Sequence, residues 1–451
     1  MITRGIFKAN DIRGVTEGAA PEWDEAGAHA IGAALVDVLD LTSAEGSLVL
    51  GRDMRLSSPG MSAAFTEGVL SRGADVVDIG LASTDELWFA SGRLDLPGAM
   101  FTASHNPGDY NGIKFCLAGA KPIAPEQLVA IADRATGSPS PPADQRGKRT
   151  EQDLLPAYAE HLHSLVDLSK IRRLTVVVDA GNGMAGHTLP AVLGRSNLEL
   201  IGLYTDPDGS FPNHPPNPLE PENLVDASRA VREREADLAL VFDGDADRCF
   251  VLDERGAVVS PSAITAMIAS AELRHLPGAT IVCNKITSWT VREVVNAAGG
   301  KIVITRVGHT FVKAAMAEHD AVFGGEHSAH YYFRDFWGAD TGMLAALHVL
   351  AMVGATRQPL SELATGFTRY AASGEINSRV EDQQVAMERV AAAFAGRGQQ
   401  DRVDGLTVAG AEWWVNVRPS NTEPLLRLNV EAATEEAMAA LRDETLGLIR
   451  A

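Results

Sequence analysis

The chain has 451 residues, which at roughly 150 residues per domain predicts about three domains. Its composition, 45% hydrophobic and 22% charged residues, is ordinary for a soluble globular protein. A formal net charge of −20 argues against nucleic acid or an anionic membrane surface as the main partner. Salt screens charges beyond about 8 Å, so a local basic cluster can still bind an anionic small molecule.

The N-terminal stretch "MITRGIFKANDIRG" carries charges and has no apolar core, so we expect no secretory signal there. Cys116, Cys249 and Cys283 are far apart and show no CxxC spacing, which argues against a zinc site or a disulfide framework. The apolar run 342–355 is shorter than the ~20 residues that a membrane span needs, so it predicts a buried helix. Together these features predict a cytoplasmic protein that does not enter a membrane.

Short apolar runs alternate with helical patterns along most of the chain. "GSLVLGRD" precedes a helical stretch from Ser58 and then "ADVVDIG", and "LTVVVDAGNGMAG" repeats the design. "DLALVFDGDADR" is a further buried strand with a polar loop, and residues 278–309 read as strand, helix, strand. This alternation predicts three related α/β domains with mixed, mostly parallel sheets. From about residue 367 a strand, loop, strand, helix pattern predicts a smaller C-terminal α+β domain.

Stretches of loop- and turn-forming residues predict the boundaries between these domains. The stretch 135–148 is rich in Ser, Pro and Gly, and "DERGAV" at 253–258 is typical of a turn. The predicted domains are residues 1–148, 149–254, 255–366 and 367–451. Ligands bind beyond the carboxyl ends of strands in open parallel sheets, and the polar motifs of this chain follow such ends.

The stretch "FTASHNP" at 101–107 places Ser104 and His105 just before Asn-Pro. Asn-Pro favours the start of a turn, so we expect Ser104 on a tight exposed loop. A lone Ser-His pair is most often an ordinary surface feature without a function. The rest of the sequence has to supply the evidence for a functional role.

The motif "DGDADR" at 243–248 supplies Asp243, Asp245 and Asp247 directly after a buried strand. Closely spaced carboxylates suit a hard cation such as Mg²⁺. An EF-hand is rejected because its sixth position must be glycine and is Arg248 here. An acidic solvated turn stays open as the alternative, although Arg248 could pair with the carboxylates or hold a phosphate.

Two further motifs and two single residues carry polar groups whose ordinary explanation is structural. "RPSNTEPLLR" at 418–427 combines guanidinium, hydroxyl and amide groups and fits either a phosphate cradle or a polar hairpin loop. "GGEHSAH" at 324–330 offers Glu326 and Ser328 to vicinal sugar hydroxyls, or serves as a capped turn. Lys114 and His309 are possible acid–base groups, yet single lysines and histidines are usually structural or solvated.

Taken together and in this order, the motifs resemble those of the α-D-phosphohexomutases, the phosphomannomutase/phosphoglucomutase superfamily. The similar features are "KANDIRG", "TASHNPGDYNGIK", "DGDADR", "GEHSAH" and "RPSNTEP", and they span essentially the full chain. One departure is Asn10, where the family often has an aromatic residue. The resemblance implies three related α/β domains and a C-terminal domain of another type around a central cleft.

The resemblance also implies roles for individual residues. Ser104 would carry a phosphoryl group, and its phosphate would bind Mg²⁺ together with Asp243, Asp245 and Asp247. The groups expected near the transferring phosphoryl or the reacting sugar hydroxyl are Arg13, His105, Lys114 and His309. The residues expected to hold the sugar and its distal phosphate are Arg248, Lys285, Gly308, Glu326, Ser328, Arg418, Ser420, Asn421, Thr422 and Arg427.

The implied reaction moves a phosphate between C1 and C6 of a hexose through a 1,6-bisphosphate. "RPSNTEP" and "DADRCF" resemble phosphomannomutases more than phosphoglucosamine mutases, and so does the stretch 209–224. We therefore expect phosphomannomutase activity, with phosphoglucomutase activity beside it because mannose and glucose differ only at C2. Phosphoglucosamine mutase, a silent sugar-phosphate-binding protein and a Mg²⁺-dependent phosphatase stay as alternatives, and a monomer or homodimer is expected.

Overall fold

A computed structural model describes residues 1–42, 46–138, 140–194, 197–420 and 425–451. The chain forms two compact units. The first unit contains residues 1–259 and 328–361, and the second contains residues 260–327 and 362–451.

The strands and helices are numbered in chain order. The strands are β1 Ile12–Val15, β2 Ser47–Arg52, β3 Asp75–Leu81, β4 Gly98–Phe101, β5 Tyr110–Leu117, β6 Lys121–Pro122, β7 Arg149–Glu151, β8 Leu174–Asp179, β9 Leu198–Leu203, β10 Leu238–Phe242, β11 Cys249–Leu252, β12 Val258–Val259, β13 Thr280–Asn284, β14 Lys301–Thr305, β15 Phe323–Gly325, β16 Tyr331–Phe333, β17 Ala339–Asp340, β18 Ala371–Arg379, β19 Gln399–Asp401, β20 Leu406–Ala409, β21 Trp413–Pro419 and β22 Leu425–Ala432. The helices are α1 Glu25–Val38, α2 Ser58–Ser71, α3 Thr84–Leu94, α4 Pro125–Ala135, α5 Leu155–Leu165, α6 Ala185–Val192, α7 Val225–Arg234, α8 Pro261–His275, α9 Trp289–Ala297, α10 His309–Glu318, α11 Gly342–Gly354, α12 Leu360–Thr365, α13 Gln383–Ala393 and α14 Glu435–Arg450.

The first sheet of the first unit is mixed, with the strand order β1-β5-β4-β2-β3-β7 and β6 added to β5. Strand β2 runs parallel to β3 and β4, whereas β5 runs antiparallel to β4 and β1. The four central residues of β2 are all buried, as expected for a strand covered on both faces. Strands β4 and β5 are joined by the loop that carries Ser104.

The second sheet of this unit has the order β12-β11-β10-β8-β9. Strands β8, β9 and β10 are parallel, and β11 returns antiparallel to β10. All five residues of β10, "LALVF", are buried. The motif "DGDADR" therefore forms the loop of the β10–β11 hairpin, directly after a buried strand as the sequence predicts.

Segment 328–361 adds the antiparallel pair β16–β17 and helix α11 to the first unit. Helix α11 begins after Thr341, whose hydroxyl accepts a hydrogen bond from the Leu344 N–H, and nearly all of its residues are buried. The predicted buried helix in the apolar run 342–355 is confirmed. In the part of the chain that the structure describes, no helix is long and apolar enough to cross a membrane.

The second unit contains the parallel strands β14, β13 and β15 and an antiparallel sheet of order β18-β22-β21-β20-β19. Helices α13 and α14 pack on the antiparallel sheet over a core that includes Phe394, Val417 and Leu428. The predicted class is confirmed: α/β domains with mixed sheets are followed by a C-terminal α+β domain. The exact domain boundaries stay a prediction.

Candidate active site

The Ser104 loop connects β4 and β5, and its serine is only 4% exposed. Our expectation of an exposed loop is therefore wrong for this residue. The aspartate loop lies close against the serine: a Cβ on Gly244 would sit 2.5 Å from the Ser104 carbonyl oxygen. Only glycine at position 244 lets the aspartate loop come this close, and the close contact shields Ser104 from solvent. Ser104 itself has a φ of 51°, in the left-handed region that few non-glycine residues adopt.

The Ser104 hydroxyl faces charged groups of the aspartate loop. Its Oγ donates a hydrogen bond to Asp243 Oδ2 at 2.9 Å and lies 3.4 Å from an Arg248 nitrogen. Arg248 also donates through Nε to Asp243 Oδ2 at 2.8 Å. Burial raises the pKa of Asp243 to about 7, with the neighbouring Asp247 adding to the rise and Arg248 opposing it.

The three aspartates converge as the sequence predicts. Asp243, Asp245 and Asp247 are buried, and each offers a carboxylate oxygen within 4.8 Å of the others. Lys114 Nζ donates to Asp245 Oδ2 at 2.7 Å and to Asp247 Oδ2 at 2.5 Å. Burial raises the pKa of both carboxyls, but Lys114, together with Thr84 at Asp245 and with His330 and Arg248 at Asp247, outweighs it and brings the pKa of each below 3.8.

The carboxylate oxygens of the aspartate loop have the chemistry that a divalent cation needs. The Oδ1 atoms of Asp245 and Asp247 are buried and accept no hydrogen bond from the described residues. Buried carboxylate oxygens without a donor are costly, and a hard cation satisfies them. The acidic cluster is thus a candidate site for Mg²⁺, and a solvated acidic turn is excluded by its burial.

Arg13 and His105 complete the surroundings of Ser104 in the first unit. Arg13 donates to Asn106 Oδ1 at 2.8 Å and to Asp11 at 2.6 Å, which places it beside the serine loop. Arg248 donates to His105 Nδ1, so this nitrogen is an acceptor and the ring is neutral. Burial first, and then the charge of Arg248, lower the pKa of His105 well below 6.5.

Two residues that sequence reasoning missed lie against the aspartate loop. His330 Nε2 is 3.8 Å from Asp247 Oδ1, and His330 Nδ1 lies 2.9 Å from the Ser328 hydroxyl. Thr84 donates to Asp245 Oδ2 at 2.6 Å. The second histidine of "GGEHSAH" was a visible signal for His330, whereas Thr84 at the start of α3 gave none.

In the second unit, two of the predicted sugar-binding residues, Glu326 and Gly308, are in contact. Glu326 is 2% exposed, and its Oε2 accepts hydrogen bonds from Asn284 Nδ2 at 2.7 Å and from the Gly308 N–H at 3.2 Å. His309 follows as the first residue of α10. Lys285 pairs with Asp401 at 2.6 Å. Ser328 belongs to the first unit, whereas Glu326 belongs to the second.

Two arginines face each other on neighbouring strands of the second unit. Arg418 on β21 and Arg427 on β22 are directly opposite in register. Like charges so placed repel, and Glu375 compensates by pairing with Arg418 at 2.5 Å and Arg427 at 3.3 Å. Arg427 also donates to the Ser420 hydroxyl at 3.2 Å. The predicted site residues Asn421 and Thr422 lie outside the described residues.

Four family models match the chain in succession. They are the phosphoglucomutase/phosphomannomutase α/β/α domain I over residues 4–140, domain II over 156–256, domain III over 260–370 and the C-terminal domain over 375–448.

Full-length relatives agree with these matches. The chain is 41% identical to a phosphomannomutase of Salmonella typhimurium, with 98% of this chain and 97% of the relative covered. It is 39% identical to a protein of Xanthomonas campestris named phosphohexose mutases, with 99% of each covered. A crystal structure of a phosphoglucomutase/phosphomannomutase family protein from Burkholderia thailandensis superposes with a TM-score of 0.90 at 31% identity, covering 100% of this chain and 98% of that one.

Proposed function

Because this chain belongs to the phosphoglucomutase/phosphomannomutase family and is a phosphohexomutase, an isomerase, we propose that it interconverts mannose 6-phosphate and mannose 1-phosphate. The reaction would pass through phosphorylated Ser104 and a hexose 1,6-bisphosphate, with glucose phosphates as further substrates. The observation that carries the proposal is the Ser104 hydroxyl, held 2.9 Å from Asp243 among buried charges. A cytoplasmic location and a monomeric or homodimeric state stay predictions.

Two phosphoryl transfers make up one turnover. In the first, the bond between phosphorus and Ser104 Oγ breaks and a bond to the oxygen of the free sugar hydroxyl forms; the hydroxyl proton passes to a base, and Ser104 Oγ takes up a proton. In the second, the bond between the other phosphorus and its sugar oxygen breaks and that oxygen takes up a proton, while a bond from this phosphorus to Ser104 Oγ forms and the Ser104 proton passes to a base. Asp243 Oδ2 accepts the hydrogen bond of the Ser104 hydroxyl at 2.9 Å, which orients the oxygen that takes up the phosphoryl group.

Catalysis of this transfer is mainly positioning and charge neutralisation. Mg²⁺, held by Asp243, Asp245 and Asp247, would neutralise charge on the phosphoryl oxygens. Lys114 and Arg248 keep the acidic loop from repelling an anionic substrate, since each pairs with its aspartates. Arg13 supplies a further guanidinium beside the serine loop.

Two histidines are candidates for the proton acceptor of the sugar hydroxyl. His309 is expected from the resemblance, and His330 lies 3.8 Å from Asp247 in the first unit. His105 is disfavoured because Arg248 occupies its Nδ1 as a donor. In the second unit, Arg418 and Arg427 would bind the phosphate that is not reacting, and Glu326 would accept hydrogen bonds from sugar hydroxyls.

A coupled assay with mannose, glucose and glucosamine phosphates tests the substrate assignment. We expect turnover of mannose and glucose phosphates in both directions, dependent on Mg²⁺ and stimulated by glucose 1,6-bisphosphate. Faster turnover of glucosamine phosphate would favour a phosphoglucosamine mutase instead. Intact-mass measurement after incubation with the bisphosphate should show one phosphate on Ser104. A protein that never carries it would be a silent binder, and stoichiometric release of inorganic phosphate would indicate a phosphatase.

A further inference from the structure

Arg55 is an arginine outside the predicted site that is almost completely buried, at 1% exposure. It follows β2, and its guanidinium reaches the loop between β4 and β5. Each of its five N–H groups has an acceptor. The acceptors are Asp53 Oδ2 at 3.1 Å and the carbonyl oxygens of Ser104 at 2.9 Å, Asn106 at 2.7 Å, Pro107 at 2.5 Å and Tyr110 at 3.0 Å.

The guanidinium is itself held in place by two neighbours. Asp53 is fully buried, and its Oδ1 accepts hydrogen bonds from the Arg55 N–H at 3.0 Å and from the Ser58 hydroxyl at 2.7 Å. The Phe211 ring lies 5.2 Å from the Arg55 guanidinium carbon. Arg55 therefore has a single orientation, and it presents four donors to the serine loop.

Ser104 is bound by buried side chains at both of its backbone polar groups. Its carbonyl accepts from Arg55, and its N–H donates to the Thr102 hydroxyl at 2.9 Å. Thr102 is 1% exposed. These bonds act on a residue in the left-handed region, at a φ of 51°, which an L side chain adopts only when its surroundings impose it.

We propose that Arg55, together with Thr102, is the positioning residue of the phosphoryl carrier: it imposes the backbone conformation in which the Ser104 hydroxyl faces Asp243. The inference rests on the proposed function, in which Ser104 is phosphorylated. Arg55 touches neither substrate nor reacting atoms in this arrangement and acts through the loop. Lysine cannot replace it, because one ammonium with three donors cannot serve five acceptors spread over a planar fork.

The proposal predicts where the kinetic defect falls. Both phosphoryl transfers of a turnover use Ser104, so a displaced serine slows each of them. A displacement of about 1 Å can lower the rate about 100-fold. The arginines of the second unit keep their contacts, so binding of the hexose phosphate is unchanged. Arg55→Lys should lower kcat about 100-fold and leave KM within about twofold.

The experiment measures phosphorylation of Ser104 directly. Wild type, Arg55→Lys and the control Arg172→Lys are incubated with glucose 1,6-bisphosphate and Mg²⁺, and the phosphorylated fraction is followed by intact mass. Arg172 is a matched control because it also binds backbone carbonyls and an aspartate, Asp237, away from this loop. We expect Arg55→Lys to be phosphorylated at least tenfold more slowly than wild type and the control.

Equal phosphorylation rates and kcat in wild type and Arg55→Lys would overturn the inference. If wild type itself gains no phosphate on Ser104, the proposed function fails instead, so the two failures are distinguishable. Should Arg55→Lys not fold, as judged by circular dichroism, the pair Thr102→Val and Thr102→Ser replaces it. Thr102→Val should show the same loss of kcat at constant KM, and Thr102→Ser should restore at least part of it because the hydroxyl is kept. Equal rates for this pair would overturn the inference as well.

Discussion

Replacement of Lys114 by methionine tests how the charges of the aspartate loop are balanced. Lys114 bridges Asp245 and Asp247 at 2.7 and 2.5 Å, and its side chain is only 14% exposed. Lys114→Met keeps the alkyl chain but removes the ammonium, so two buried carboxylates lose their cation. Breaking a buried ion pair from one side costs about 3–5 kcal/mol of stability.

The loss should depend on pH and on metal. With Lys114 present, the pKa of Asp245 and of Asp247 lies below 3.8, so their contribution to stability is present above that pH and lost as the pH falls below it. Without Lys114, burial is opposed only by the weaker effects of neighbours such as Thr84 at Asp245 and His330 and Arg248 at Asp247, so both pKa values rise. The difference in stability between wild type and Lys114→Met should therefore be largest near neutral pH and shrink towards pH 4.

Thermal unfolding in EDTA and in Mg²⁺ measures these effects. At about 2–4 °C for each kcal/mol, the variant should melt roughly 10 °C below wild type in EDTA at neutral pH. A divalent cation supplies the missing charge, so Mg²⁺ should raise the Tm of the variant more than that of wild type. Lys148→Met, at an exposed position, is the control and should melt like wild type. A variant that melts with wild type in EDTA and gains nothing extra from Mg²⁺ would refute the reasoning.

Four further predictions test the remaining parts of the site and one buried acid. Ser104→Ala should keep the wild-type circular dichroism spectrum and lose nearly all turnover because the phosphoryl carrier is gone; wild-type activity would contradict that role. Asp245→Asn should lose activity that moderate Mg²⁺ does not fully restore, and EDTA should silence wild type reversibly; full turnover in excess EDTA would contradict the metal site. Arg418→Ala should weaken hexose-phosphate binding ten- to a hundredfold in both reaction directions, since a hydrogen bond to a charged group is worth roughly 1.5–3 kcal/mol; steady-state kinetics with unchanged KM and kcat would contradict a role of Arg418 in binding phosphate. Burial, with Asp85 adding to it, raises the pKa of Glu86 from 4.5 to about 8. Because the folded protein holds this proton more tightly than the unfolded chain, wild-type stability should fall as the pH rises from 4.5 to about 8. Glu86→Gln should flatten this part of the curve of Tm against pH and should have a higher Tm than wild type at about pH 8. A curve parallel to that of wild type would contradict the raised pKa of Glu86.

The sequence by itself determined the elements and the order of the chemical motifs. Apolar runs such as "LALVF" and the run 342–355 became buried elements because hydrophobic periodicity is a local property of the chain. Helix α2 begins at Ser58, where its pattern starts, and the aspartate loop follows β10 as predicted. The family resemblance also depended only on residue types in order, and the family models confirm it.

Only the tertiary structure decided which groups meet and how far they are from water. Lys114 and the aspartates it neutralises are more than 130 residues apart, and no local pattern pairs them. Ser104 looked exposed on its Asn-Pro turn, yet the close approach of Gly244 buries it. Arg55 gave no signal of function, because its acceptors are carbonyl groups, which every residue carries. Burial and hydrogen-bond partners depend on long-range packing, and in this chain they set the pKa values and the orientation of the serine.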